Sequence, residues 1–275
     1  DLTDRTDWFD ETYSTGVNQN YQFSISNGDE NSSYYLGGGY TDETGIINTT
    51  SSDRYNVKAS FDKKIFKWVS ANASTTFSHY TTKGSIISGQ GANRAGVVVS
   101  AITTPTYAPI WDTENPQQFY NNFYGANLTS PLENMARTDY DRNVTDRLLL
   151  SGGLTFYLAK GLTFRSTVSM DRRWVHSSSF LDPIRTSYGR TQHGTASDTR
   201  SDDMRMVYDN ILTWNKSFNL HNLEVMAGTS ATTSVWEQLS GSRSYFSSTN
   251  NNAIPNLEGG NNGGVRGQSY GKSEW

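Results

Sequence analysis

Hydrophobic and polar residues alternate one by one along much of the chain. Between positions 162 and 171, for example, Leu162, Phe164 and Val168 alternate with Thr163 and Arg165. Successive side chains of a β-strand point to opposite faces, so this pattern predicts strands with one apolar and one polar face. A ninth strand is expected to begin near position 267. The eight full strands predicted are Asn18–Asn27, Ser33–Thr41, Arg54–Ile65, Trp68–Tyr80, Thr145–Leu158, Leu162–Val175, Val207–Phe218 and Asn222–Ser234.

The length of these strands points towards a membrane. Most of them are longer than the five or six residues typical of soluble sheets, and about 9–11 tilted residues are needed to cross a bilayer as a strand. No run of 18 apolar residues is present, so the sequence predicts no transmembrane helix. The fold class expected is all-β, a segment of a transmembrane antiparallel up-and-down β-barrel.

The connections between the strands alternate between short and long. Outer-membrane barrels have short periplasmic turns and longer extracellular loops, which orients the strands. Residues 1–17 are then expected to end an extracellular loop, and the first strand would run downward. Because complete barrels begin with an upward strand and rarely close at nine strands, residues 1–275 are expected to be a partial barrel domain. The long loops predicted are 42–53, 81–144, 176–206 and 235–264.

Composition removes several other classes of protein. Aromatic residues reach 13% although all hydrophobic residues make up only 34%, as suits a two-faced pleated surface. The net charge of −4 argues against nucleic-acid binding, which needs a concentrated basic patch. Cysteine is absent, so the chain has no disulfide framework and no thiolate chemistry.

The longest predicted loop carries the best candidates for ligand contact. Its aromatic side chains are interleaved with amides and carboxylates, a combination that suits the apolar faces and hydroxyl edges of sugar rings. The same residues equally suit packing of the loop on itself or docking of a partner. The candidates are Tyr107, Trp111, Phe119, Tyr120, Phe123 and Tyr124.

Charged residues at the polar positions of the strands form a second candidate set. They would face the lumen, as a translocation wall or as ion pairs with neighbouring strands or a plug. The four histidines lack metal-ligand spacing, and no nucleophile elbow, phosphate loop or paired catalytic carboxylates are recognisable, so we expect no enzyme, metal or cofactor. The lumen-facing candidates are Lys58, Asp62, Arg147, Arg165, Asp171 and Glu224.

Several motifs occur in an order that is typical of one known family. The motifs are Thr6-Asp7-Trp8-Phe9-Asp10-Glu11, Gln19-Asn20-Tyr21-Gln22-Phe23, Gly39-Tyr40-Thr41-Asp42-Glu43-Thr44-Gly45, Arg54-Tyr55-Asn56, Phe61-Asp62-Lys63-Lys64, Ser130-Pro131-Leu132 and Lys160-Gly161-Leu162-Thr163-Phe164. Together they resemble the SusC-like TonB-dependent transporters of the Gram-negative outer membrane. The likeness is specific over about the first 80 residues and weaker afterwards.

The resemblance implies a barrel of about 22 strands with a plugged lumen, of which this chain would form eight or nine. It implies import of a large nutrient, an oligosaccharide or a peptide, across the lipid bilayer. It also implies a SusD-like surface lipoprotein as partner, and TonB acting through a plug region that this chain does not contain.

One alternative from another class fits the same alternation. A soluble extracellular β-sandwich or solenoid, as a binding or carbohydrate-active protein, would also alternate apolar and polar positions. It would bury the apolar face between two layers, whereas a barrel in lipid would expose it. The side chains that distinguish the two are Leu148, Leu154, Phe156, Leu162, Phe164 and Val168.

Overall fold

A computed structural model describes residues 5–84, 96–123, 126–246, 257 and 260–274. Nearly all of these residues belong to one antiparallel sheet or to the connections at one of its ends. In this part of the chain, no helix is long and apolar enough to cross a membrane.

Nine antiparallel strands form this sheet, and each pairs with its neighbours in chain order. This is the up-and-down order of a β-barrel wall, and it confirms the all-β prediction. A separate ladder of two short strands, β5 and β6, lies in the connection between β4 and β7. The bounds are β1 Asn18–Gly28, β2 Ser32–Thr44, β3 Ser51–Phe66, β4 Val69–Lys83, β5 Asn122–Phe123, β6 Ala126–Asn127, β7 Arg142–Ala159, β8 Leu162–Leu181, β9 Thr195–Phe218, β10 His221–Phe246 and β11 Gly260–Glu274.

The connections at one end of the sheet, the turn end, are as short as predicted. Gly161 has a φ of 77° in the turn between β7 and β8, and Asn219 has a φ of 48° between β9 and β10. A Cβ at Gly161 would collide with the backbone oxygen of Asn215 on the neighbouring strand. This position therefore requires glycine both for its left-handed backbone and for the close approach of β9.

At the opposite end, the loop end, the strands extend beyond their predicted limits. β8 continues to Leu181, β9 begins at Thr195 and β10 continues to Phe246. The predicted loops 176–206 and 235–264 were therefore drawn too long, because much of each is strand. Both faces of the sheet become polar in these extensions, so the alternation disappears from the sequence while backbone pairing continues.

Four short helices lie among the connections of the loop end. In three of them, the side chain of the residue just before the helix accepts hydrogen bonds from backbone N–H groups of the first turn. The stretch from position 97 is helical. The helices are α1 Trp8–Thr12, α2 Val97–Thr103, α3 Pro131–Ala136 and α4 Ser187–Gln192.

The strand register divides the sheet into two faces. Leu154 pairs with Ser166, and Phe156 pairs with Phe164, all on one face that we call the apolar face. Leu212 pairs with Phe164 across the next ladder, which places Leu212 on the same face. Residues that directly oppose each other in antiparallel strands share a face, so the apolar positions of all nine strands fall together.

The apolar face is not covered by a second layer in the described part of the chain. Leu154 is 40% exposed and Val168 is 41% exposed, and the other four distinguishing side chains are at least partly exposed. This contradicts the sandwich alternative, which requires these residues to form a core between two sheets.

Rows of aromatic rings border the apolar face at two levels. Near the turn end, Trp68 stacks between Phe66 and Phe156, with ring centroids 5.7 and 6.2 Å apart. Near the loop end, Tyr55 stacks on Tyr40 at 4.6 Å. The eleven residue steps from 55 to 66 span roughly 28 Å of height for a strand tilted by about 40°. This matches the hydrocarbon thickness of a bilayer, about 30 Å.

We expect a charge on the apolar face to destabilise the protein far more than the same charge beside it. Val168→Arg should lower the free energy of unfolding in phospholipid vesicles by about 2–4 kcal/mol, because the guanidinium would meet hydrocarbon. Thr167→Arg, on the opposite face of β8, is the matched control and should cost less than about 1 kcal/mol. Equal losses in denaturant titrations of the two variants would contradict the assignment of the faces.

Candidate functional site

The connections at the loop end pack into one unit, which we call the loop cluster and which contains α1 to α4. The indole Nε1 of Trp8 donates a hydrogen bond of 2.9 Å to the carbonyl of Pro105, and Trp8 is almost fully buried. Ile47, from the connection between β2 and β3, packs in a buried group with Val97 and Met135. Four separate stretches of the chain are thus held together above the sheet.

Helix α3 owes its position to a cap that sequence reasoning missed. Ser130 Oγ accepts a hydrogen bond of 3.1 Å from the backbone N–H of Glu133, and Pro131 occupies the first turn. Ser-Pro-x-Glu is a recognisable helix start. The serine side chain caps a free backbone N–H group, and proline in the first turn sacrifices no helical hydrogen bond. The signal was therefore present in the sequence, although the motif was read only as a family likeness.

Glu133 is the most deeply buried acidic residue of the loop cluster. Its Oε1 accepts hydrogen bonds from the backbone N–H and the hydroxyl of Ser187, at 2.6 and 2.5 Å, while Oε2 has no partner. Burial raises the pKa of Glu133, although the Ser187 hydrogen bonds and the charges of Arg190 and Arg137 act against this. The carboxyl joins α3 to α4, and it has no second carboxylate partner that would make an acid–base pair.

The six aromatic candidates fall into three groups. Tyr107 is 57% exposed and Trp111 is 42% exposed, so both present ring surface to solvent. Phe119 is buried beneath Trp111, with ring centroids 4.5 Å apart, and Tyr120 packs beside the buried Trp8. The side chain of Phe123 and the whole of Tyr124 lie outside the described residues. Phe119 and Tyr120 therefore belong to the packing of the loop, whereas Tyr107 and Trp111 leave ring surface exposed.

The six charged candidates all lie on the face opposite the apolar one, which we call the polar face. Arg147 and Asp171 form a two-pronged ion pair across β7 and β8, at 2.9 and 2.6 Å. Asp62 accepts a hydrogen bond of 3.3 Å from Ser33. Pairing across strands is therefore one role of these charges. All six are placed there by register: Lys58, Asp62, Arg147, Arg165, Asp171 and Glu224.

These surfaces carry groups that can bind a ligand non-covalently. The described residues include no group of three histidine, aspartate or glutamate side chains that could hold a metal ion. What they offer is exposed aromatic ring, hydroxyls, amides and paired charges. Such surfaces recognise polar ligands by stacking and hydrogen bonds.

Comparisons with known proteins agree with this geometry. No family model matches the chain. TonB-dependent receptor P3 of Formosa agariphila is 28% identical over 258 residues, which cover 93% of this chain and 25% of that receptor. TonB-dependent receptor SusC of Bacteroides thetaiotaomicron is 21% identical over 251 residues, which cover 82% of this chain and 24% of that receptor.

The chain resembles SusC-like TonB-dependent receptors. Among solved structures, the RagAB peptide transporter has a TM-score of 0.78 at 19% identity, covering 98% of this chain and 30% of that one. The ferripyoverdine receptor of the Pseudomonas aeruginosa outer membrane has a TM-score of 0.53 at 14% identity, covering 94% and 34%. The likeness drawn from the SusC-like motifs is thereby confirmed, and the chain spans about a quarter of its curated relatives.

Asp141 should make the loop cluster more stable in mild acid. Burial raises the pKa of Asp141 to about 6, although its carboxylate accepts a hydrogen bond from the backbone N–H of Phe180. A raised pKa gives stability that is complete below the ordinary value of 3.8 and is lost as the pH rises through about 6. After discounting for the partial exposure of Asp141, we expect this contribution to the stability of the loop cluster to be about 1 kcal/mol.

The measurement is amide hydrogen exchange of residues 138–141 and 180–190, expressed as protection relative to the free peptide at each pH. Protection should fall as the pH rises from 3.8 to about 6 in the natural protein, and change little above that. In Asp141→Asn it should stay near its acid value, because the amide carries no charge to desolvate. An unchanged fall in the variant would show that Asp141 is not the responsible group.

Proposed function

We propose that this chain forms part of the wall of an outer-membrane, TonB-dependent transporter that imports a large nutrient, an oligosaccharide or a peptide. The observation that carries the proposal is the alignment of 93% of the chain with a TonB-dependent receptor. The exposed apolar face and its aromatic borders support a place in the membrane.

The polar face is suited to line the path of the nutrient. Its charges meet across neighbouring strands, as Arg147 meets Asp171 and Arg173 meets Asp203 at 3.3 Å. A wall of paired charges stays hydrated without strongly retaining a ligand of either sign. Transport then needs no covalent chemistry from this chain, and its relatives are receptors and transporters rather than enzymes.

The direction of transport would be enforced outside the described sheet. In the transporters that this chain resembles, TonB acts through a plug, and the nine strands would provide the static wall around it. The expected test is uptake of labelled nutrient by cells with and without TonB. Equal uptake in the two strains would refute TonB-dependent import, whatever the nutrient.

Trp111 is the residue we expect to contact the nutrient first. One of its faces lies on Phe119, which fixes the ring, and the exposed remainder can stack on a sugar ring or a peptide side chain. Trp111→Ala should weaken binding about tenfold, as expected for loss of a stacking platform. Ile102→Ala is the matched control, because Ile102 is a 66% exposed apolar residue of α2 in the same connection.

Isothermal titration of the intact protein with candidate oligosaccharides and peptides measures both variants. A ligand that loses affinity with Trp111→Ala but not with Ile102→Ala would identify the class of nutrient. A true ligand bound equally by both variants would remove Trp111 from the site.

A SusD-like surface lipoprotein is the partner expected at the loop cluster. Contacts such as the hydrogen bond from Trp8 to the carbonyl of Pro105 hold the cluster together. Phe9 and Ile102 nevertheless remain more than half exposed. Complexes purified in mild detergent should contain a lipoprotein, and cross-links from it should map to α1 and α2. Repeated recovery of the intact protein alone would count against this partner.

A further inference from the structure

The apolar face carries two grooves, one above the other, that the transport function does not use. The upper groove has a volume of about 550 Å³ and lies across β7 to β11. The lower groove has a volume of about 510 Å³ and lies across β3, β4 and β7 to β9. Both open on the side of the sheet away from the polar face, as the register of their lining residues requires.

The lower groove is a depression in the apolar face itself. Its floor consists of small residues, Ala59, Ala73 and Gly152, and larger side chains such as Val168 and Met170 stand along it. A Cβ on Gly152 would meet only the backbone oxygen of Asn72, at 3.8 Å. The space above this glycine is therefore open, and the apolar side chains around it suit a hydrocarbon chain.

The upper groove begins where the apolar residues end. Along β8, Met170 is followed on the same face by Arg172 and then by Trp174, which lines the upper groove. The four residue steps from 170 to 174 correspond to about 13 Å along a strand. The two grooves thus succeed each other at the level where a bilayer changes from hydrocarbon to headgroup.

The indole of Trp174 is held in a fixed orientation. The guanidinium of Arg172 lies 4.9 Å from the ring centroid and forms a two-pronged ion pair with Asp202, at 3.0 and 2.6 Å. Asp202 also takes part in a side-chain hydrogen bond with Trp174. Arg172 and Asp202 therefore hold the indole of Trp174 with one face towards the groove, even when no ligand is bound.

The remaining lining of the upper groove distinguishes between kinds of headgroup. It contains the carboxylates of Asp146, Asp202 and Glu237 and the guanidinium of Arg200. Arg172 offsets the charge of Asp202, so the carboxylates of Asp146 and Glu237 outnumber the guanidinium of Arg200. An acidic lining repels phosphate and carboxylate, whereas carboxylates and amides accept hydrogen bonds from hydroxyl groups. An indole face beside such acceptors suits a neutral sugar.

We propose that the two grooves bind one glycolipid of the surrounding membrane, with its uncharged sugar headgroup against Trp174 and an acyl chain in the lower groove. The ligand is a boundary lipid that holds the wall at a fixed height. This inference rests on the proposed place in the membrane but not on import, so a transport assay does not test it.

The experiment uses the intact protein in nanodiscs of phosphatidylethanolamine containing a small fraction of a diglucosyl diacylglycerol with a photoreactive acyl chain. After illumination, peptides of β3, β4 and β7 should carry the label. Trp174→Ala should lower the yield about fivefold, as expected for loss of a stacked ring. Trp214→Ala is the matched control: it lies on the same face near the turn end, with Lys216 5.8 Å from its ring, and it lines neither groove.

Two further variants keep the test decisive if Trp174→Ala does not fold. Gly152→Leu fills the lower groove and should abolish labelling there, and Glu237→Gln should weaken labelling while leaving the fold intact. Three results would overturn the proposal: equal labelling by a phosphatidylglycerol probe, equal yields from the two tryptophan variants, or complete competition by soluble maltose. The last result would assign the upper groove to free sugar. If labelling is absent but TonB-dependent uptake is normal, the glycolipid proposal fails while the proposed transport function stands.

Discussion

The pairing of every strand with its neighbours through backbone hydrogen bonds is the constraint on which this structure depends. A sheet built this way sends alternate side chains to two independent faces. One face can then be apolar and the other polar without any core between two layers. The same constraint explains why the strands follow one another in chain order: a crossing connection would leave backbone groups without partners, which hydrocarbon does not tolerate.

Beyond the apolar region, a different set of interactions takes over. Strands β8 to β10 continue beyond this region, where ion pairs between neighbouring strands, such as Arg172 with Asp202, replace apolar side chains. Above them the loop cluster builds its own small core around Trp8 and Val97. The protein therefore has two kinds of stability, one from the sheet and its surroundings, and one from buried side chains in the connections.

The strands, their order and both faces could be predicted from the sequence because alternation is a local property. Alternation alone puts Leu162, Phe164 and Val168 on one side of their strand, and the observed register keeps them on the apolar face. The upper ends of β8 to β10 could not be predicted, since residues such as Asp202 and Glu237 carry no apolar alternation. The burial of Phe119 and Glu133 depends on contacts between distant connections, as between Glu133 and Ser187. No local pattern shows which of several exposed-looking aromatic residues will be covered, and for the same reason the grooves were not foreseen.

The central claim, that one face of this sheet meets lipid and the other meets water, is tested most directly by spin labels. Because the chain has no cysteine, single cysteines can be placed at each position from 162 to 170 of β8 in the intact protein in vesicles. We predict that accessibility to oxygen peaks at the even positions and accessibility to a polar nickel complex peaks at the odd ones. Accessibility without a period of two, or the same phase for both reagents, would contradict the account.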